Sequence, residues 1–143
     1  NGDNSEPKET ILKIIKEVGK ADMVIPFFGS NDKRSWIRIN ISRAFTFLVN
    51  LISGYKIKYY NGPVIHKKYN VMRWSPYTHG FASQAEIIVK VLDEGGSFIE
   101  VEIESIDRKE GSSKAFTIKN IFSVINSLLQ IFLRRLGNLF FRR

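Results

Sequence analysis

The chain has 143 residues, 43% of them apolar, with no cysteine and a formal net charge of +8. That length reads as one domain able to bury a core, and the lack of cysteine excludes disulfides and thiolate metal sites and fits a reducing compartment. The longest uncharged apolar-rich run, Asn120 to Leu133, falls short of the roughly 18–20 residues a spanning helix needs, and the polar start shows no secretory signal.

In chain order, Asn1 to Asn4 reads as a turn, and Ile11, Leu12, Ile14, Ile15 and Val18 follow at helical spacing. Pro7 is tolerated in that helix's first turn, and Gly19 is placed to stop it. Ala21 to Pro26 predicts a short buried strand, and the polar stretch Gly29 to Ser35 predicts a loop. Trp36 to Ser53 predicts the next helix, closed by Gly54 as a left-handed cap. Tyr55 to Tyr60 reads as a strand running into the turn Asn61-Gly62, where positive φ would be tolerated. Val64 to Arg73 has no clear period, and Trp74 to Gly80 reads as loop.

Phe81 to Glu94 predicts a helix ended by Gly95-Gly96. From Phe98 to Glu104, Ile99, Val101 and Ile103 alternate with Glu100, Glu102 and Glu104, the mark of a half-buried strand. Ser105 to Lys114 is a charged loop. Beyond Ala115, polar residues recur every three to four positions in an apolar background, which predicts a long amphipathic helical region. Alternating helix and strand argues for an α/β layer.

The basic surplus is uneven. Residues 1–114 hold 17 Lys and Arg against all 14 Asp and Glu, whereas residues 115–143 hold five basic residues and no acid. Such a surplus attracts anionic surfaces, phospholipid or nucleic acid. A helix ending Leu139-Phe140-Phe141-Arg142-Arg143 suits an anionic bilayer boundary, with the arginines at the headgroups. Packing on the chain's own domain, or on a partner helix, is the alternative. Nucleic acid is not an expected partner, because the basic residues are scattered and carry no recognised motif.

Four stretches in order carry a family likeness: the opening turn; Trp36-Ile-Arg-Ile-Asn-Ile-Ser-Arg43; Tyr59-Tyr-Asn-Gly-Pro63 with His79-Gly80-Phe81 and Gln84-Ala85-Glu86; and Phe98 through Glu102 to Arg108 and Gly111-Ser-Ser-Lys114. With them the chain resembles the family 2 glycosyltransferases of the dolichyl-phosphate mannosyltransferase and polyprenyl-phosphate sugar transferase type. The resemblance implies an α/β fold, the C-terminal half of a GT-A (Rossmann-like) domain over residues 1–114. Its nucleotide-binding half would precede Asn1, and amphipathic membrane-interface helices would occupy 115–143. The fragment alone would then be inactive.

By the same likeness Asp3 matches the metal-binding aspartate for Mg2+ or Mn2+, with Asn1 where an acid is usual. Arg38 and Ser42 match a phosphate-directed pair, and their four-residue spacing puts them on one helical face. Arg108, Ser113 and Lys114 match a closing basic element over the diphosphate. Asn61 and Gly62 form an acceptor-side turn. Glu86 matches an acid on the helix after the Gly-Phe pair and is the candidate catalytic residue. Lys58 and Asn1 depart from the family, each standing where an acid is common. The implied reaction transfers a sugar from a nucleotide-sugar to a lipid phosphate, on the cytoplasmic face of a membrane to which the protein binds peripherally. Two alternatives stand beside it: a non-catalytic basic module docking on membrane or nucleic acid, and a structural partner that has lost catalysis.

Overall fold

The computed structural model describes residues 7–30, 32–73, 82–104 and 118–141. The elements are α1 (Lys8–Ile15), β1 (Met23–Phe28), α2 (Trp36–Ser53), β2 (Ile65–His66), α3 (Lys68–Arg73), α4 (Ser83–Asp93), β3 (Phe98–Ile103) and α5 (Ile118–Phe141). The fold is mixed α/β, with a three-stranded sheet in the order β2-β1-β3. β1 pairs in parallel with β3 from Met23↔Phe98 to Phe28↔Ile103. It pairs antiparallel with β2 only at Met23↔His66 and Val24↔Ile65.

β1 reads Met-Val-Ile-Pro-Phe-Phe, an uninterrupted apolar run suited to a strand covered on both faces. Its Pro26 would break a central strand, but the β2 ladder stops at Val24, so the missing N–H costs no bond on that side. Met23 and Ile25 enter the main core with Phe45 and Val49 of α2, Ile88 and Val89 of α4, and Ile131 of α5. Val24, on the opposite face of β1, packs with Ile103 of β3 and Ile14 of α1 in a smaller cluster. Helices therefore cover the sheet on both sides.

α2 has the predicted bounds, and Gly54 caps it at φ 76°. Gly95 closes α4 in the same way at φ 82°. α1 ends at Ile15, a turn earlier than its apolar spacing predicts, and residues 16–19 form turns. The strand expected over Tyr55 to Tyr60 is not there. The side chain of Asn50 takes the place of a strand partner: its Nδ2 donates to the Ile57 carbonyl at 2.9 Å, and its Oδ1 accepts from Ile57 N–H at 3.1 Å and from the Tyr60 hydroxyl at 2.8 Å. Ile57 and Tyr60 fill the core as the chain passes, and the sheet is completed by β2 instead.

α5 packs against α2 and α4. Val124, Leu128 and Ile131 face the main core, and Ser127 is buried beside them. The helix is anchored farther along at Asp93, whose side chain is 1% exposed. Arg134 Nε donates to Asp93 Oδ2 at 3.0 Å, Arg135 Nη1 to Oδ1 at 3.1 Å, and Asn138 Nδ2 to Oδ2 at 3.2 Å. The Tyr55 hydroxyl donates to Oδ1 at 3.0 Å. A buried carboxylate needs such donors, and here they come from both α5 and the segment after α2.

Asp22 fastens the end of the sheet at which β1 and β3 begin. Its Oδ2 accepts from Ser97 N–H at 2.8 Å and from Ser97 Oγ at 2.7 Å, and its Oδ1 meets Lys67 Nζ at 2.9 Å. These partners hold the entries of β1 and β3 and the exit of β2 together. The Lys67 bond first, then those from Ser97, hold the Asp22 carboxyl well below the ordinary carboxylate range. A lowered folded-state pKa contributes stability that is complete above about pH 4 and is lost as the pH falls further. Because the group is largely solvated, Asp22→Asn is expected to cost only about 1 kcal/mol at pH 7. Urea unfolding at steps from pH 7 down to pH 2 checks it: the gap between wild type and variant is largely kept at pH 4, shrinks as the pH falls below that and has not closed by pH 3, and a gap independent of pH contradicts it.

Candidate anion-binding site

Beyond Phe28 the chain leaves β1 through Gly29 and Ser30 and reaches α2 by way of Asp32 and Arg34. Asp32 Oδ1 accepts from the Arg34 backbone N–H at 3.1 Å, which tightens the turn before the helix. The Arg34 guanidinium then folds back on that carboxylate, with Nε at 2.9 Å from Oδ1 and Nη2 at 2.6 Å from Oδ2. Its Nη1 donates to the Tyr59 hydroxyl at 3.0 Å and to Ser42 Oγ at 3.4 Å. The guanidinium carbon lies 4.2 Å from the Phe28 ring centre and 5.1 Å from that of Tyr59. The two rings meet edge to face at 5.1 Å.

Arg34 thus binds the end of β1, the start of α2 and the segment after α2 into one corner. Burial pulls its pKa down, but the Asp32 hydrogen bonds and Tyr59 outweigh that, so the group is held above its ordinary value and stays charged. A planar fork suits this position because it serves a carboxylate, two hydroxyls and two ring faces at once.

The corner encloses a hollow of about 140 Å3 lined by Gly29, Ser30, Asp32, Arg34, Ser42, Arg43, Lys58 and Tyr59, among others. At about 30 Å3 per water, it has room for a phosphate group with some hydration. Asp32 is committed to Arg34, so the wall is otherwise cationic and hydroxylic. Lys58 is held loosely, 3.7 Å from Glu100 and 4.1 Å from the Phe27 ring centre, with its side chain 57% exposed. The hollow lies at the carboxyl end of β1 beside its parallel neighbour β3, the position where open α/β sheets bind ligands.

The residues expected from the sequence divide in two. Ser42 lines the hollow, and Lys58 and Tyr59 join it. Arg38 stands on α2 outside the lining; the arginine beside Ser42 is Arg34. Asn61 and Gly62 form a turn next to β1, but Gly62 is not at positive φ. It is glycine because a Cβ there would come within 2.7 Å of the Pro26 carbonyl oxygen. Gln84 Nε2 ties the turn to α4 by donating to the Gly62 carbonyl at 2.6 Å.

Glu86 faces neither this hollow nor solvent. It is 2% exposed on α4 and forms an ion pair with Lys90 at 2.9 Å, one helical turn on. Asn1, Asp3, Arg108, Ser113 and Lys114 lie outside the described residues, as does His79. Among the described residues no group of three or more His, Cys, Asp and Glu side chains could hold a metal ion. His66 belongs to no such group among the described residues, and burial lowers its pKa, favouring the neutral ring.

Arg34 and Asp32 lie in the loop expected from the sequence, which gave them no part in a site. The only local signal was an aspartate two positions before an arginine ahead of a helix. Comparison with protein-family models, curated proteins and solved structures finds no match.

Arg34→Lys keeps the charge but cannot fork, and is expected to lower stability by about 2 kcal/mol, because Asp32 and Tyr59 lose donors in a part-buried corner. Chemical denaturation measures it. A loss no larger than that of Lys33→Ala, an exposed neighbour, contradicts the clamp.

Proposed function

We propose that the chain is the acceptor-side part of a family 2 glycosyltransferase catalytic domain, moving a sugar from a nucleotide-sugar to a polyprenyl or dolichyl phosphate. One observation carries the reading: the hollow at the carboxyl end of β1, walled by Arg34, Arg43, Lys58 and Ser42. Cationic forks and a hydroxyl are the donors that phosphate oxygens require. The resemblance adds the order of the four sequence stretches.

In this reading the lipid phosphate arrives already ionised. One of its oxygens attacks the anomeric carbon of the sugar, and the bond from that carbon to the nucleoside diphosphate breaks. The electron pair leaves with the diphosphate, and no proton has to be removed from the nucleophile. The chain's part is to hold phosphate oxygens in place and offset their charge in a part-buried corner, where fixed positive groups act more strongly than in water. A carboxylate base is not required, which agrees with Glu86 being occupied by Lys90 and with Lys58 standing where an acid is common. Mg2+ or Mn2+ enters only through the likeness of Asp3 and Asn1 to a metal-binding turn, and no step above runs through it.

The apolar outer faces of α2 and α5 favour a second reading, a basic docking module without catalysis. The two differ in one assay. The intact protein, given labelled nucleotide-sugars, polyprenyl phosphate and Mg2+ or Mn2+, is expected to move label into the organic phase. Ser42→Ala and Arg43→Ala are each expected to lower kcat/KM by about tenfold to a hundredfold. Label passing to hydroxyl acceptors alone, or to none, refutes the reading.

A further inference from the structure

We propose that the outward faces of α2 and α5 form one docking surface for an anionic phospholipid bilayer, and that this surface holds the β1-end hollow at headgroup level. The proposal stands on the two helix faces and does not depend on the transfer reaction.

α5 is apolar on opposite sides. Its inner side, Val124, Leu128 and Ile131, is spent on the core. Half a turn away, Phe122, Ile125, Leu129, Leu133 and Phe140 recur every three to seven residues, and all are exposed, Phe122 at 67% and Phe140 at 78%. The outer side of a helix packed on a soluble domain is ordinarily polar. Here large apolar side chains take that place, although the Asp93 clasp fixes which side faces in. The outward direction is therefore built, not a consequence of a loose helix.

α2, packed against α5, repeats the pattern. Phe45 and Val49 point into the core, while Trp36, Ile37, Ile41, Phe47, Leu48 and Leu51 are exposed, Trp36 at 78% and Leu51 at 68%. A third side of the same helix, carrying Ser42, Arg43 and Thr46, lines the hollow. One rigid helix thus fixes the distance between the apolar face and the anion site.

Charge selects the occupant. Neither α2 nor α5 carries an acid, and their cations are Arg38, Arg43, Lys119, Arg134 and Arg135, the last two bonded to Asp93. A partner helix or a second copy would be met equally well by helices of mixed charge, whereas two helices with a basic surplus and no acid of their own complement a continuous layer of anionic headgroups. Trp36 at the first position of α2 has the amphipathic ring that settles at the headgroup boundary. Among the described residues no helix is long and apolar enough to cross a membrane, so the contact is a face laid on the bilayer.

The test is flotation of the purified protein with vesicles of phosphatidylcholine alone or with about 30% phosphatidylglycerol. The wild type is expected to float with the anionic vesicles. Leu129→Glu with Leu133→Glu, and separately Ile37→Glu with Leu51→Glu, are expected to weaken binding about tenfold or more. Lys20→Glu on the opposite layer carries the same charge change as either pair and is expected to bind as the wild type does. In a Trp74→Phe background, Trp36 emission is expected to shift to the blue and to be quenched by brominated lipid, a readout that leaves the α2 and α5 faces unaltered. Absence of flotation and of quenching overturns the proposal. So does equal loss in Lys20→Glu, or a stable dimer abolished by the α5 pair without vesicle binding. Transfer to a short, soluble polyprenyl phosphate would survive such a failure, which keeps this inference separable from the proposed reaction.

Discussion

The corner at the end of β1 is organised by one part-buried guanidinium. Arg34 has to satisfy Asp32, Tyr59 and Ser42 while its plane lies against Phe28, and those partners come from three separate stretches of chain. A charged group out of water is costly unless its donors are used, so the corner has essentially one arrangement. Fixing it sets where α2 starts, where Tyr59 returns to the sheet, and how Arg43 and Lys58 face the hollow. The cationic character of the lining follows from Arg34 having neutralised Asp32, the one acid among the lining residues.

α2 is the second constraint. Its eighteen residues serve the core, the hollow and the outer surface on three different sides, and Gly54 ends it so that Asn50 can hold the returning segment. The Asp93 clasp plays the matching part for α5, because a helix apolar on both sides has no hydrophobic preference for which side to bury. Directional hydrogen bonds supply the preference that hydrophobicity lacks.

Much of this was legible in the residues. The bounds of α2, the glycine stops at Gly54 and Gly95, and the alternation through β3 follow from local periodicity and cap chemistry. Tyr55 to Tyr60 misled because its β-rich composition matches a strand, while the deciding contact is a long-range one to the Asn50 amide. The site was half legible. Ser42 was reached through the family likeness, but the arginine paired with it was not Arg38, since helical spacing says nothing about a side chain that folds back from the preceding loop. Glu86 illustrates the same limit: its period on α4 left two orientations open, and only packing showed the buried pair with Lys90.

The claim on which the account turns is that the β1-end corner binds anionic phosphate. Titrating inorganic pyrophosphate into labelled protein, followed by NMR of arginine Nε–H groups and backbone amides, addresses it without assuming a substrate. The account predicts saturable shifts at Arg34, Ser42, Arg43 and Tyr59 that weaken with salt and largely vanish in Lys58→Glu. Shifts confined to the opposite layer around Lys13 and Lys16, or none at all, would contradict it.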